Sequence, residues 1–311
     1  MQNQVLCCIG IALLTVCAGC ASSSTRNTKI ADSILISERE PDLEAISALA
    51  EGFRPSDFTQ TSLGLYPEAS LGRIFKALDR MSFFFPENSV YTDLQRKVFD
   101  EKVRRGTHSD SEVRRMFLAY LSARMFDEAA SLKRLFPDIK LYSMPEKVLS
   151  GNSLATDTWR VYSVLDAGQT IMPKALPLGD GPRIVMLMLP GCEVAEKAMR
   201  EILANPGVGQ AFREHGVVIT NRINAESVAL WKSHFGFPEV YISYKASDFP
   251  GFDFNISPIF YFLKDGEIVW SASGWDKNSH QAMQSGLIKI SAAPVLKAEE
   301  PPGKELGKHV P

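Results

Sequence analysis

The stretch Ile256-Ser257-Pro258-Ile259-Phe260-Tyr261-Phe262-Leu263-Lys264-Asp265-Gly266-Glu267-Ile268-Val269 runs from a Ser-Pro pair through five apolar residues to an Asp-Gly turn and back into apolar residues. Asp-Gly between two such runs signals a hairpin, because glycine supplies the positive φ that a tight turn needs. Outward from it, strands alternate with helices. Residues 184–189 form an unbroken apolar run, as expected of a strand buried on both faces. Residues 159–165 and 170–176 read as a second hairpin around Asp166-Ala167-Gly168. Helices are expected over about 193–203, 225–234 and 276–290, and strands over 217–220 and 240–243. Gly207 and Gly209 read as a turn ending the first of these helices.

Towards the N-terminus, from about residue 43 to 147, the pattern is helical. Leu71, Ile74, Phe75 and Leu78 recur at helical spacing, as do Val113, Met116, Phe117, Tyr120 and Leu121 behind a capping-box signature, Ser109-x-x-Glu112. After Met125-Phe126, Asp127 opens a helix carrying Ala129, Ala130, Leu132 and Leu135, closed at Phe136-Pro137. Phe126-Asp127-Glu128-Ala129-Ala130 resembles part of one tetratricopeptide unit, but no second copy follows at the period of about 34 residues. A small helical domain with its own core and a repeat array both remain open.

The chain has 311 residues, 45% of them hydrophobic, which is room for two ordinary domains. With 34 basic and 36 acidic side chains the net charge is −2, so no field exists to gather nucleic acid, and none is expected as a partner. The cysteines lie at 7, 8, 17, 20 and 192, which excludes a disulfide-stapled fold and a Cys-rich metal cluster. His215 and His234 have no third ligand at metal spacing, and neither half of the chain looks like a metal or small-molecule cofactor site. The expected organisation is a signal segment at 1–19, a polar tether at 20–40 and an all-α domain at 41–148. Gly151-Asn152-Ser153 forms the boundary to an α/β domain at 152–290, and a disordered tail occupies 291–311.

Residues 5–16 form an apolar stretch of about twelve, the length of a signal-peptide core and short of the roughly 20 residues of a spanning helix. The following Cys17-Ala18-Gly19-Cys20 resembles a bacterial lipobox, with Cys17 where Leu is usual and no Lys or Arg before the apolar core. That resemblance makes Cys20 the acylated N-terminus of the mature lipoprotein; an ordinary cleaved signal is the alternative. Ala21 follows, not the Asp that retains such proteins at the inner membrane, which implies the periplasmic face of the outer membrane. Ala21-Ser22-Ser23-Ser24-Thr25 would supply the tether.

The order of elements in the C-terminal half resembles the thioredoxin fold over about residues 158–290. Ile256-Ser257-Pro258 and the hairpin after it are similar to that family's cis-proline strand, and the 159–176 hairpin is similar to that of its exported, membrane-attached branch. The resemblance makes Cys192, after Gly191, the nucleophilic cysteine. Ser257 and Pro258 become the opposite wall, offering backbone groups to an extended peptide, with Gly191 a further candidate substrate-binding residue. The family's Cys-x-x-Cys is here Cys192-Glu193-Val194-Ala195, so the resolving cysteine is missing, and Met186 stands where the family has a buried acid. Leu189, three residues before the cysteine, excludes the peroxiredoxin pattern.

A cysteine at a helix start faces unpaired N–H groups and the positive end of the dipole, which favours the thiolate, while the adjacent Glu193 opposes it. With no second thiol in reach, one chain cannot release a mixed disulfide by internal attack; an external thiol or thioredoxin-like reductant must do so. The expectation is therefore a periplasmic thioredoxin-like lipoprotein acting on protein clients by monothiol exchange, or a non-catalytic envelope binding or assembly module on a degenerate thioredoxin fold. Whether it is an enzyme stays open. Phe249-Pro250-Gly251-Phe252-Asp253-Phe254, just before the Ser-Pro pair, either lines a peptide groove or packs beneath a loop.

Overall fold

The computed structural model describes residues 23–36, 42–150 and 159–291. It divides into a helical unit and a unit built on one mixed sheet with helices. The segment expected to be a signal (1–19), Cys20, the expected boundary at 151–153 and residues 292–311 lie outside the described residues.

The helical unit contains α1 (23–36), α2 (Leu43–Ala50), α3 (Gln60–Leu63), α4 (Glu68–Phe84), α5 (Ser89–Arg105), α6 (Asp110–Ser122) and α7 (Phe126–Leu135), with a 3₁₀ turn at Pro55–Phe58. Its core follows from spacing: Leu71, Ile74, Phe75, Leu78 and Met81 fall on one face of α4 and are all fully buried. Starts and stops follow from local chemistry. Ser109 Oγ accepts the Glu112 amide at 3.3 Å while Glu112 Oε2 accepts the Ser109 amide at 2.9 Å, a complete capping box for α6. Gly106, at φ 69°, closes α5 in the left-handed conformation.

One part of the sequence reading is corrected here. Within the expected tether at 20–40, residues 23–36 form α1, which buries Ser24, Asn27, Ala31 and Ile34 at helical spacing; 20–22 and 37–40 lie outside the described residues. Half of that face is polar, and the Asn27 amide nitrogen finds a partner inside the unit, donating to the Tyr66 hydroxyl at 3.1 Å.

Within α5, Glu101 is almost fully buried and accepts two bonds of 2.7 Å from Arg104 and one of 2.6 Å from Arg105. Arg104 first, then Arg105, outweigh burial and hold its carboxyl down at about 2, against an ordinary value of 4.5. A carboxyl depressed in the folded state contributes stability above its unfolded value, and that contribution is lost as pH falls through the folded one. The urea midpoint of the helical unit is therefore expected to drop between about pH 4.5 and 2. Glu101→Gln should flatten that dependence, and an unchanged acid profile would refute the assignment.

The second unit comprises β1 (Lys147–Val148), β2 (Trp159–Leu165), β3 (Thr170–Leu176), β4 (Pro182–Leu187), α8 (Glu193–Ala204), α9 (Pro206–His215), β5 (Gly216–Thr220), α10 (Ala225–Phe235), β6 (Val240–Ser243), β7 (Ile259–Lys264), β8 (Glu267–Ser273) and α11 (Ser279–Lys289). The sheet order is β1-β3-β2-β6-β5-β4-β7-β8. β4, β5 and β6 are mutually parallel, and β7 runs antiparallel to β4 and β8. The unbroken apolar run of β4 fits its place between β5 and β7, with Ile184 to Leu187 all buried.

Three further details differ from the sequence reading. The unit begins at Pro145, before the expected boundary at Gly151-Asn152-Ser153, because β1 pairs with β3. The central strand spans 182–187, not 184–189, since the chain turns away after Leu187 towards α8. Gly207 and Gly209 lie inside α9, which Asn205 caps through its side chain and Pro206 opens. Gly209 is needed there, since a Cβ would lie 2.7 Å from the Ile202 carbonyl oxygen.

Candidate functional site

The chain leaves β4, turns through Leu189-Pro190-Gly191 and enters α8 with Cys192 as its N-cap. Gly191 adopts φ 82°, the left-handed conformation that lets the chain reverse between strand and helix, and it is exposed. The Cys192 amide donates to the Leu189 carbonyl at 3.1 Å, and its own carbonyl accepts the Glu196 amide at 3.0 Å, so the residue is fixed by main-chain bonds on both sides. Its thiol is half-buried and free.

Opposite stands the loop before β7. The Ser257–Pro258 bond is cis. Ser257 uses both of its oxygens: its side chain accepts the Leu189 amide at 2.9 Å, and its carbonyl accepts the Cys192 thiol at 3.6 Å. One serine thereby ties the β4–α8 turn to the β7 loop and sets the position of the sulfur. Pro258 is buried, and its carbonyl accepts the Gly274 amide at 2.8 Å, which ties the loop to the end of β8. Cys192, Gly191, Ser257 and Pro258, 65 positions apart in the widest bonded pair, are thus brought to one place.

The surroundings are acidic and partly apolar. Glu193 and Glu196 occupy the first turn of α8, and Val194 and Ile256 are 44% and 40% exposed beside Cys192 and Ser257 in sequence. Beneath, Met186 is fully buried at its place on β4, facing Val218 and Phe260 in register. The far end of α8 is strapped down by Glu201, which accepts the Trp275 indole N–H at 2.7 Å; that bond holds the Glu201 carboxyl below the usual carboxylate range. No family model matches the chain, and no curated protein or solved structure matches it either.

Chemically, the arrangement presents one partly exposed sulfur at a helix start, beside a main-chain carbonyl. The 249–254 aromatics do not line this site. Phe249 and Phe254 are buried in the core with Val161, Leu176 and Tyr261, and Phe252 packs against Tyr261 with ring centroids 4.5 Å apart and planes tilted by 53°. His215 and His234 lie apart from it, the first near Glu214 at 3.8 Å and the second edge-on to Phe235. Sequence reasoning missed the role of the Ser257 hydroxyl; the only signal was a short polar residue before proline, which by itself is common in turns. Among the described residues no helix is long and apolar enough to cross a membrane.

Proposed function

We propose that the chain is a lipoprotein anchored through Cys20 on the periplasmic face of the outer membrane, whose second unit is a thioredoxin-like module that exchanges disulfides with protein clients through Cys192. The observation that carries the reading is the Cys192 sulfur, at the start of α8, lying 3.6 Å from the Ser257 carbonyl beside a cis Ser257–Pro258 bond. The parallel β6-β5-β4 order with antiparallel β7 and β8 supports it further.

The Cys192 thiolate attacks one sulfur of a client disulfide; that S–S bond breaks, a mixed disulfide forms, and the client's other sulfur leaves as a thiolate and takes up a proton. An external thiol, small or on a thioredoxin-like reductant, then attacks the Cys192 sulfur of the mixed disulfide and releases the client thiolate, which takes up a proton; a second donor thiol attacks the Cys192–donor disulfide, forming the donor disulfide and returning Cys192 to the thiolate. The Ser257 main chain holds the client segment extended while this happens.

The test is to incubate the reduced protein with a peptide disulfide and weigh the product. A mixed disulfide mapped to Cys192, absent in Cys192→Ser, is expected. If Cys192 stays inert in the folded protein yet reacts in urea, the exchange role is lost. The acidic first turn of α8 and the missing resolving cysteine favour a second reading, a non-catalytic envelope binding module. Full function of Cys192→Ser in its host would select it.

A further inference from the structure

Helix α1 leaves no slack for the anchor that the proposed function places at Cys20. Its first turn is already part of the helical unit: Ser24 and Asn27 are buried, Asn27 donates to Tyr66 and, at 3.3 Å, to Asp57, and Arg26 pairs with the same Asp57. Further along, Arg73 bridges to Asp32 at 3.1 Å and Arg80 donates to the Ile34 carbonyl at 3.0 Å. Only Ala21 and Ser22 separate Cys20 from Ser23. Three Cα steps reach at most about 11 Å, whatever conformation those residues take.

We propose that the helical unit rests directly on the lipid headgroups through the N-terminal end of α1 and the 3₁₀ turn Pro55–Phe58 beside it. The inference depends on the acylation of Cys20 in the reading above and goes beyond it, because a lipobox alone is equally compatible with a domain held well clear of the bilayer. The exposed charged residues on the early turns of α1 and before the 3₁₀ turn, Lys29, Glu51 and Arg54, carry both signs. The acyl anchor, not an electrostatic patch, therefore maintains the contact, which should survive high salt. The other end of α1, where Ile36 is 81% exposed, lies about 20 Å further along the helix.

The experiment uses the full chain, made in a Gram-negative host, carrying Cys192→Ser and a fluorophore at either Ser56→Cys or Ile36→Cys. It is reconstituted in phosphatidylethanolamine/phosphatidylglycerol vesicles containing a headgroup nitroxide lipid. Quenching at 56 is expected to exceed quenching at 36 several-fold, to persist in high salt, and to collapse when a Gly/Ser insert of about 20 residues, spanning about 25 Å r.m.s., is placed before Ser23. An acylated chain with an unquenched label at 56, with equal quenching at both positions, or with no response to the insert overturns this inference alone. A mass for the N-terminal peptide showing no acyl group overturns the anchor and the inference together.

Discussion

Gly168→Ala is expected to destabilise the α/β unit by about 3 kcal/mol or more, the combined cost of a strained backbone and a backbone clash. Gly168 sits at φ 100° in the turn joining β2 to β3, where an L side chain is disfavoured. A Cβ there would also lie 2.7 Å from the Glu226 amide nitrogen and 2.8 Å from its Cα, in the first turn of α10. Neither atom is the movable end of a side chain, so relief requires α10 to shift from the hairpin. Asp166 and Ala167, before it, already hold positive φ of 50° and 53°, which leaves the turn little freedom to adapt. The measurement is a urea midpoint together with hydrogen exchange, which should show protection falling in α10 more than in α11. A wild-type midpoint for the variant would mean that the hairpin and α10 do not meet as described.

Gly286→Ala is expected to cost about 2 kcal/mol, against the trend for exposed helix positions, where replacing glycine by alanine gains up to about 1 kcal/mol. A Cβ on Gly286 would fall 2.5 Å from two carbons of the Phe262 ring. That ring is fully buried, and its strand is paired on both sides, with Ile184 of β4 and Trp270 of β8 in register. The ring therefore cannot retreat, and α11 must lift from the sheet. Pairing the change with Phe262→Leu should recover part of the loss, a coupling that a double-mutant cycle reads directly. If Gly286→Ala proves more stable than the parent, the packing of α11 on β7 is looser than the structure has it.

The same residues explain what could be read from sequence. The β7–β8 hairpin was visible because apolar residues and Asp265-Gly266 act locally, and the α6 start because a capping box is written within four residues. Other features depend on contacts remote in sequence. α1 looked like a tether because half its buried face is Ser24 and Asn27, and the Asn27 amide bonds to Tyr66 and Asp57, thirty or more positions away. α9 was hidden by two glycines, although Asn205-Pro206 carried the cap and first-turn signal that could have found it. At the candidate site, the positions of Cys192, Gly191, Ser257 and Pro258 were legible through a family resemblance. The bond that Ser257 makes to the Leu189 amide was not, since it closes a loop of 68 positions.

The short strand β1 has a practical consequence for anyone who wishes to study the second unit by itself. The amides of Glu146 and Lys147 both donate to the Gln169 carbonyl, and Leu149 donates to Ile171, so these residues clothe the outer margin of β3. Trimming the gene at the glycine-asparagine-serine triplet, the natural choice from composition, would strip that margin bare. A raw sheet margin recruits other chains. The truncated protein would then report on its own stickiness, and a start at or before Pro145 avoids the artefact.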